Sequence, residues 1–192
     1  MITVLVCCSD TRRRNKITSL LQSMGITVVA EAADAPQALR MASSSKPSLV
    51  VIDIEQYNYK EMETATIIAK ERLAPVILVT VPQQQNIIDT INENPAMSYV
   101  IKPVNQWALE SAVYTSLANF RKMVQMESEI NKLKDTLETR KLVEKAKHIL
   151  MRDLNLSEPE AFRRLQKQSM DKGIAMKDLA EAILLNDDFK KF

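Results

Sequence analysis

Five short apolar runs mark out the first half of the chain: Ile2–Cys7, Thr27–Ala30, Leu49–Ile54, Val76–Thr80 and Tyr99–Ile101. Runs of this length with little alternation suit parallel strands buried on both faces. The stretches between them, roughly Arg12–Met24, Pro36–Ser43, Glu61–Leu73 and Gln84–Glu93, are amphipathic at helical spacing. Strand and helix alternating in this way predict βαβ units in one five-stranded parallel sheet, a doubly wound α/β fold. Ligand and ion sites in such sheets collect at the carboxyl ends of the strands. Asp10, Asp53, Thr80 and Lys102 all fall at those ends.

The second half changes period. From about Asn105 to Met151 there is neither glycine nor proline, and a continuous helix of that extent would be ~70 Å long at the α-helical rise. Met123, Met126, Ile130, Leu133 and Leu137 recur by three and four. They form a coiled-coil seam that two copies of the chain can share, parallel or antiparallel, or that can pack back on its own chain. Two heptads are too short to hold a dimer alone, so the seam is expected to support contacts made elsewhere. Further on, Val143, Ala146, Ile149 and Leu150 give one packed helical face. Ser157 and Glu160 then form a capping box, with Pro159 in the first turn where it forfeits no needed donor. A last helix near Met176–Leu185 packs through Leu179, Ala180, Ile183 and Leu184, and its polar residues are mainly acidic. The expected organisation is an α/β domain over 1–120, a coiled-coil connector helix over 121–139 and a small all-α three-helix domain over 140–192.

Composition narrows the function classes. The net charge of +2 divides unevenly: from Ala118 onward, 16 Lys and Arg face 13 Asp and Glu, a net of +3, against −1 for the rest. That is far from the footprint of a nonspecific nucleic-acid coat, so any binding must depend on where the charges sit. No apolar run is long enough for a membrane span and no leader pattern precedes the first strand, which predicts a soluble, cytoplasmic chain without membrane partners. Cys7 and Cys8 are neighbours in an apolar run. Adjacent thiols make a poor disulfide and a poor zinc site, so both are expected as buried small hydrophobes.

The strand-end residues give the first half a resemblance. Leu49-Val-Val-Ile-Asp53, Thr80 and Tyr99-Val-Ile-Lys102-Pro103 resemble the response-regulator receiver domain. The resemblance implies Asp53 as phosphoacceptor, Lys102 as the lysine that contacts the phosphoryl group, and Thr80 and Tyr99 as the switch pair. In physical terms, a lysine and a metal ion must offset the charge of a transferring phosphoryl group. The chain departs from that family where the first strand ends. Cys8 and Ser9 stand at the positions of the acidic pair that holds magnesium, and a thiol is a poor ligand for so hard a cation. Asp10 and Asp53 would be the only carboxylates left for it, and Asp10 sits one residue on, where side-chain direction reverses. Glu55-Gln56-Tyr57 also replaces the usual Met-Pro. No cofactor is therefore assigned. The expected receiver is a degenerate one, controlled by a regulatory partner protein or acting in dimerisation, with phosphorylation by a sensor kinase as the other route.

A second resemblance covers roughly the last fifty residues. Arg140, Ala146-Lys147, Ile149-Leu150-Met151, Ser157-Glu158, Ala161-Phe162, Leu165, Met170 and Leu179-Ala180 resemble the ANTAR domain, a three-helix RNA-binding module of bacterial transcription antiterminators. The cations at helical spacing supply candidate RNA contacts. Lys147 ranks first, then Arg140 and Arg152, with Met151 on the same stripe. Arg163, Arg164, Lys167 and Gln168 follow on the next helix, placed for phosphates or base edges. Met170 is expected in the core. His148 and Gln166 depart from the family pattern, and His148, without catalytic partners, reads as a surface residue.

Together these features predict a homodimeric antitermination regulator that captures paired hairpins in nascent mRNA. A DNA-binding response regulator and a signalling scaffold without nucleic acid are the competing readings. No nucleophile–base set or metal cluster suggests an enzyme.

Overall fold

Residues 1–54, 59–82 and 85–189 are described by the computed structural model. Glu55-Gln56-Tyr57 and the helix start expected at Gln84 lie outside them.

All five apolar runs form strands: β1 (Thr3–Cys7), β2 (Thr27–Ala32), β3 (Leu49–Asp53), β4 (Val76–Thr80) and β5 (Met97–Ile101). Every pairing is parallel, in the order β2-β1-β3-β4-β5. The expected α/β doubly wound sheet is thus present. β2 runs to Ala32 and β5 starts at Met97, both further than their apolar runs. These are the edge strands, whose faces are less fully covered than those of β3 and β4: Glu31 is exposed and Ser98 half-buried.

The intervening helices are α1 (Thr11–Ser23), α2 (Ala35–Ser45), α3 (Tyr59–Lys70) and α4 (Gln85–Glu93). Strand alternation sends side chains to two cores. Leu5, Val50, Ile52, Val76 and Leu78 pack on one face with Ala38, Ala42, Ala65 and Ile68 of α2 and α3. Val4, Val6, Val51, Ile77 and Val79 pack on the other with Ile17 and Leu21 of α1, and with Leu109 and Val113 further along the chain. β3 and β4 are buried along their whole length, so Asp53 and Thr80 end fully covered strands.

Leu109 and Val113 belong to α5 (Gln106–Leu154), a 49-residue helix. It ends at Asn155, whose φ of 51° is a left-handed conformation that asparagine tolerates. Contacts divide the chain within this helix into two units, Met1–Gln125 and Met126–Phe192. In the second unit α5 is joined by α6 (Glu158–Lys172) and α7 (Met176–Phe189). Val143 and Ala146 of α5, Leu165 of α6, and Leu179 and Ala180 of α7 form its core, flanked by Leu142, Leu150, Met176 and Ile183. The capping box is formed: the Ser157 amide donates to the Glu160 carboxylate at 2.9 Å. Gly173, at φ 63°, closes α6 with its amide donating to the Met170 carbonyl.

Candidate functional site

Asp53 sits at the end of β3 with its side chain 1% exposed, enclosed by groups from three other segments. Just after β5, the Lys102 ammonium pairs with Oδ1 and donates to the Ile54 carbonyl at 2.9 Å. Just after β1, the Cys8 thiol donates to Oδ2 at 3.1 Å. From α1, the Arg13 guanidinium lies 3.2 Å from the same Oδ2. Helix geometry places Arg13 there: it stands four residues before Ile17, so it continues the buried stripe of α1 up to the strand ends. Thr80, next to Asp53 along the strand ends, is 4% exposed. Tyr99 is 43% exposed and lines a cleft along the sheet edge with Ser111 and Thr115 of α5. The carboxyl-end cluster of Asp53, Thr80 and Lys102 is thus assembled, whereas Asp10 is turned to another task.

Asp10 caps α1, its carboxylate accepting from the Arg13 amide at 2.9 Å. That backbone hydrogen bond, joined by one from Arg12, holds its carboxyl below the usual range. Of the Cys8–Ser9 pair only Cys8 faces Asp53, since Ser9 is exposed. Burial, followed by the hydrogen bond to Asp53, pushes the Cys8 thiol up to about 11. It is therefore a protonated donor at neutral pH rather than a ligand. The sister thiol of Cys7 is buried too, and burial pushes it up to about 12.

These residues do not fit magnesium. Among the described residues the carboxylate donors at the strand ends shrink to Asp53, and both of its oxygens already meet cations. Among the described residues, no group of three or more His, Cys, Asp or Glu side chains could hold a metal ion.

The second unit redistributes the candidate RNA contacts. Lys147, ranked first among them, is buried and ion-paired within the unit. It lies at helical spacing from Val143 and Leu150 on the packed stripe of α5, and its side chain is 7% exposed. Its ammonium bridges Glu144 at 2.8 Å and Glu158 at 2.7 Å, tying α5 to the start of α6. Those hydrogen bonds, Glu144 first, raise the lysine, and the one to Lys147 lowers Glu158. Arg152 is also engaged, pairing with Asp153 at 2.7 Å and with the buried Asp187 of α7, although its side chain stays 57% exposed. Met151 is half-buried, and Arg140 is exposed.

Met170 corrects the core expectation in the opposite direction, being 74% exposed. Residue 170 falls on the α6 face away from the buried Ala161 and Leu165. Arg163, Arg164, Lys167 and Gln168 are all exposed, and with Leu156, Glu160 and Asp171 they line one open groove. Phe162 is 42% exposed on the same helix. His148 lies on the surface, with Nδ1 2.9 Å from the Glu144 carbonyl.

The seam is also revised at one end. Met123 is half-buried against the core of the first unit, so it has left the stripe. Met126, Ile130, Leu133 and Leu137 remain, 52%, 47%, 64% and 56% exposed.

Two groups escaped sequence reasoning. Arg13 was signalled by its position one turn before Ile17, within an arginine run at the start of α1. The carboxylates that neutralise Lys147 were signalled by Glu144 three residues earlier, but Glu158 reaches it only through the α5–α6 turn.

Comparison with known proteins matches residues 4–114 to the response regulator receiver domain and residues 131–184 to the ANTAR domain. The chain is similar to the transcriptional regulatory protein PdtaR of Mycobacterium tuberculosis strain H37Rv. They are 33% identical over 181 residues, covering 94% of this chain and 88% of that protein. It is also similar to the nitrate regulatory protein of Klebsiella oxytoca, 43% identical over 60 residues, 31% of this chain and 15% of that protein. Among solved structures, a response regulator receiver domain protein from Clostridium thermocellum superposes with a TM-score of 0.56. It is 23% identical, covering 65% of this chain and 99% of that one, a likeness of fold alone.

Proposed function

Because the chain belongs to the response-regulator receiver family and carries an ANTAR domain, we propose that it is a transcription antitermination regulator that binds paired RNA hairpins as a homodimer. In this reading residues 1–120 receive the input, 121–139 connect, and 140–192 hold RNA. The observation that carries it is the open α6 groove, where Arg163, Arg164, Lys167 and Gln168 stand free of the unit's own core. Cations there meet the RNA backbone, while the exposed Phe162 and Met170 offer apolar surface to unstacked loop bases. Arg140 extends the cationic surface along α5, with Arg152 and Met151 contributing less.

Pairing of two copies of the chain through the α5 seam of Met126, Ile130, Leu133 and Leu137 gives each dimer two RNA-binding faces. Binding both hairpins then stabilises the RNA fold that competes with the terminator. The input is a partner protein docking on the first unit rather than a phosphoryl group. Asp53 is closed off, whereas Tyr99, Ile101, Trp107 and Tyr114 of β5 and α5 are 43%, 46%, 84% and 50% exposed.

A binding titration at fixed, near-physiological salt tests this reading, comparing an RNA with two neighbouring hairpins, a single hairpin and duplex DNA. The two-hairpin RNA is expected to bind roughly a hundredfold more tightly than the single one, the gain from simultaneous engagement. Equal or tighter binding to duplex DNA points to a DNA-binding regulator, and no RNA binding leaves a protein-only scaffold.

A further inference from the structure

We propose that Arg13 is a built-in counter-ion that takes the electrostatic place of a divalent cation at Asp53, so that this pocket rejects magnesium.

The argument is one of charge and space. A carboxylate buried to 1% exposure needs compensation, because an isolated buried anion is strongly disfavoured. Here compensation comes entirely from the chain. Lys102 takes Oδ1, and Arg13 approaches Oδ2 at 3.2 Å. Among the described residues, one buried anion beside two cations leaves the pocket net positive before any ion arrives, and Lys16 lines the same hollow. A divalent cation entering there would meet, among the described residues, the like charges of Arg13, Lys102 and Lys16, with Asp53 as the one carboxylate lining the hollow.

The guanidinium also occupies the approach. The Arg13 Nε is buried, and the hollow beside Asp53 is bounded by Arg13, Lys102 and the apolar Ile17 and Val79. Arg13 stands one turn before the buried Ile17 of α1, and its side chain, 28% exposed overall, sets Nε against Oδ2. The Cys8 thiol completes the exclusion. It donates a proton to Oδ2, where an acidic residue would have offered a lone pair to a metal. Cys8 and Arg13 therefore act together: one removes the ligand and the other supplies the missing positive charge. The charge of Asp53 then stays compensated whatever the divalent-ion concentration. This inference does not depend on RNA binding, and its test uses none.

The experiment is a titration of the full chain with Mn²⁺, a paramagnetic stand-in for Mg²⁺, following the free-ion electron paramagnetic resonance signal. Wild type and Asp53→Asn are expected to give superimposable isotherms. Removing one positive charge a few ångströms from the ion in Arg13→Ala is expected to raise Mn²⁺ affinity roughly 10- to 100-fold. Cys8→Asp with Arg13→Ala is expected to bind more tightly still. Arg13→Lys keeps the charge and should stay silent, which separates electrostatics from the mere opening of space. Asp53-dependent Mn²⁺ binding by the wild type overturns the proposal, and that pair of isotherms decides it even where a variant fails to fold. Folded Arg13→Ala and Cys8→Asp, Arg13→Ala variants that bind no more Mn²⁺ than wild type overturn it equally.

Discussion

Replacing Arg163, Arg164 and Lys167 together by alanine is expected to weaken binding to hairpin RNA by roughly a hundredfold and to lower the salt slope by about 2, the change for three lost phosphate contacts to single-stranded RNA. All three side chains are exposed and line the α6 groove, so the change leaves the unit's core of Val143, Ala146, Leu165, Leu179 and Ala180 untouched. Circular dichroism and thermal unfolding should therefore overlay those of the wild type. The slope matters more than the affinity. Contacts to phosphate release counterions and make binding salt-dependent, whereas a fold defect weakens binding without that signature. A triple variant with unchanged affinity and slope would place the RNA on another face.

Substituting Ile130 and Leu133 together by aspartate is expected to separate the dimer and to bring affinity for a two-hairpin RNA down to that for a single hairpin, a loss of roughly a hundredfold or more. Both side chains lie on the exposed stripe of α5, 47% and 64% accessible, where a second copy would bury them. Two aspartates on each helix would set four like charges against one another in an apolar seam, which costs both desolvation and repulsion. Analytical ultracentrifugation reads the mass, and the RNA titration reads the coupling. A dimer that persists would show that contacts of the first unit hold it without the seam. A monomer that still favours two hairpins would sever dimerisation from RNA choice.

Much of the fold was legible because burial in a parallel sheet writes itself as uninterrupted apolar runs. β3 and β4, covered on both faces, matched their runs closely. β2 and β5 did not, because the faces of the edge strands are only partly covered and admit polar residues such as Glu31, which there pairs with Arg14 at 3.2 Å. The third and fourth helices were visible as amphipathic segments, and the unbroken α5 followed from the lack of glycine and proline.

Sites were harder to read, since charge in a sequence does not reveal what it faces. Lys147 had the family position and helical spacing of a contact residue, yet the same spacing to Val143 and Leu150 puts it beside the core. Once buried, its ammonium required carboxylate partners, and Glu144 and Glu158 supply them. Met170 erred the other way. An apolar residue on a helix was assigned to the core, but its face points away from Leu165. Met123 left the seam because the first unit's core extends along α5 further than the heptad pattern indicates. At Asp53 the missing acidic pair was evident from Cys8, but its replacement by Arg13 depends on the packing of α1 against the sheet.

The central claim is that RNA binding by this chain prevents termination, and single-round transcription on a template with paired hairpins ahead of a terminator tests it most directly. Adding the full chain should raise the fraction of read-through transcripts, and the Arg163, Arg164, Lys167 triple variant should not. Termination that stays unchanged while the wild type occupies the hairpins would contradict the account.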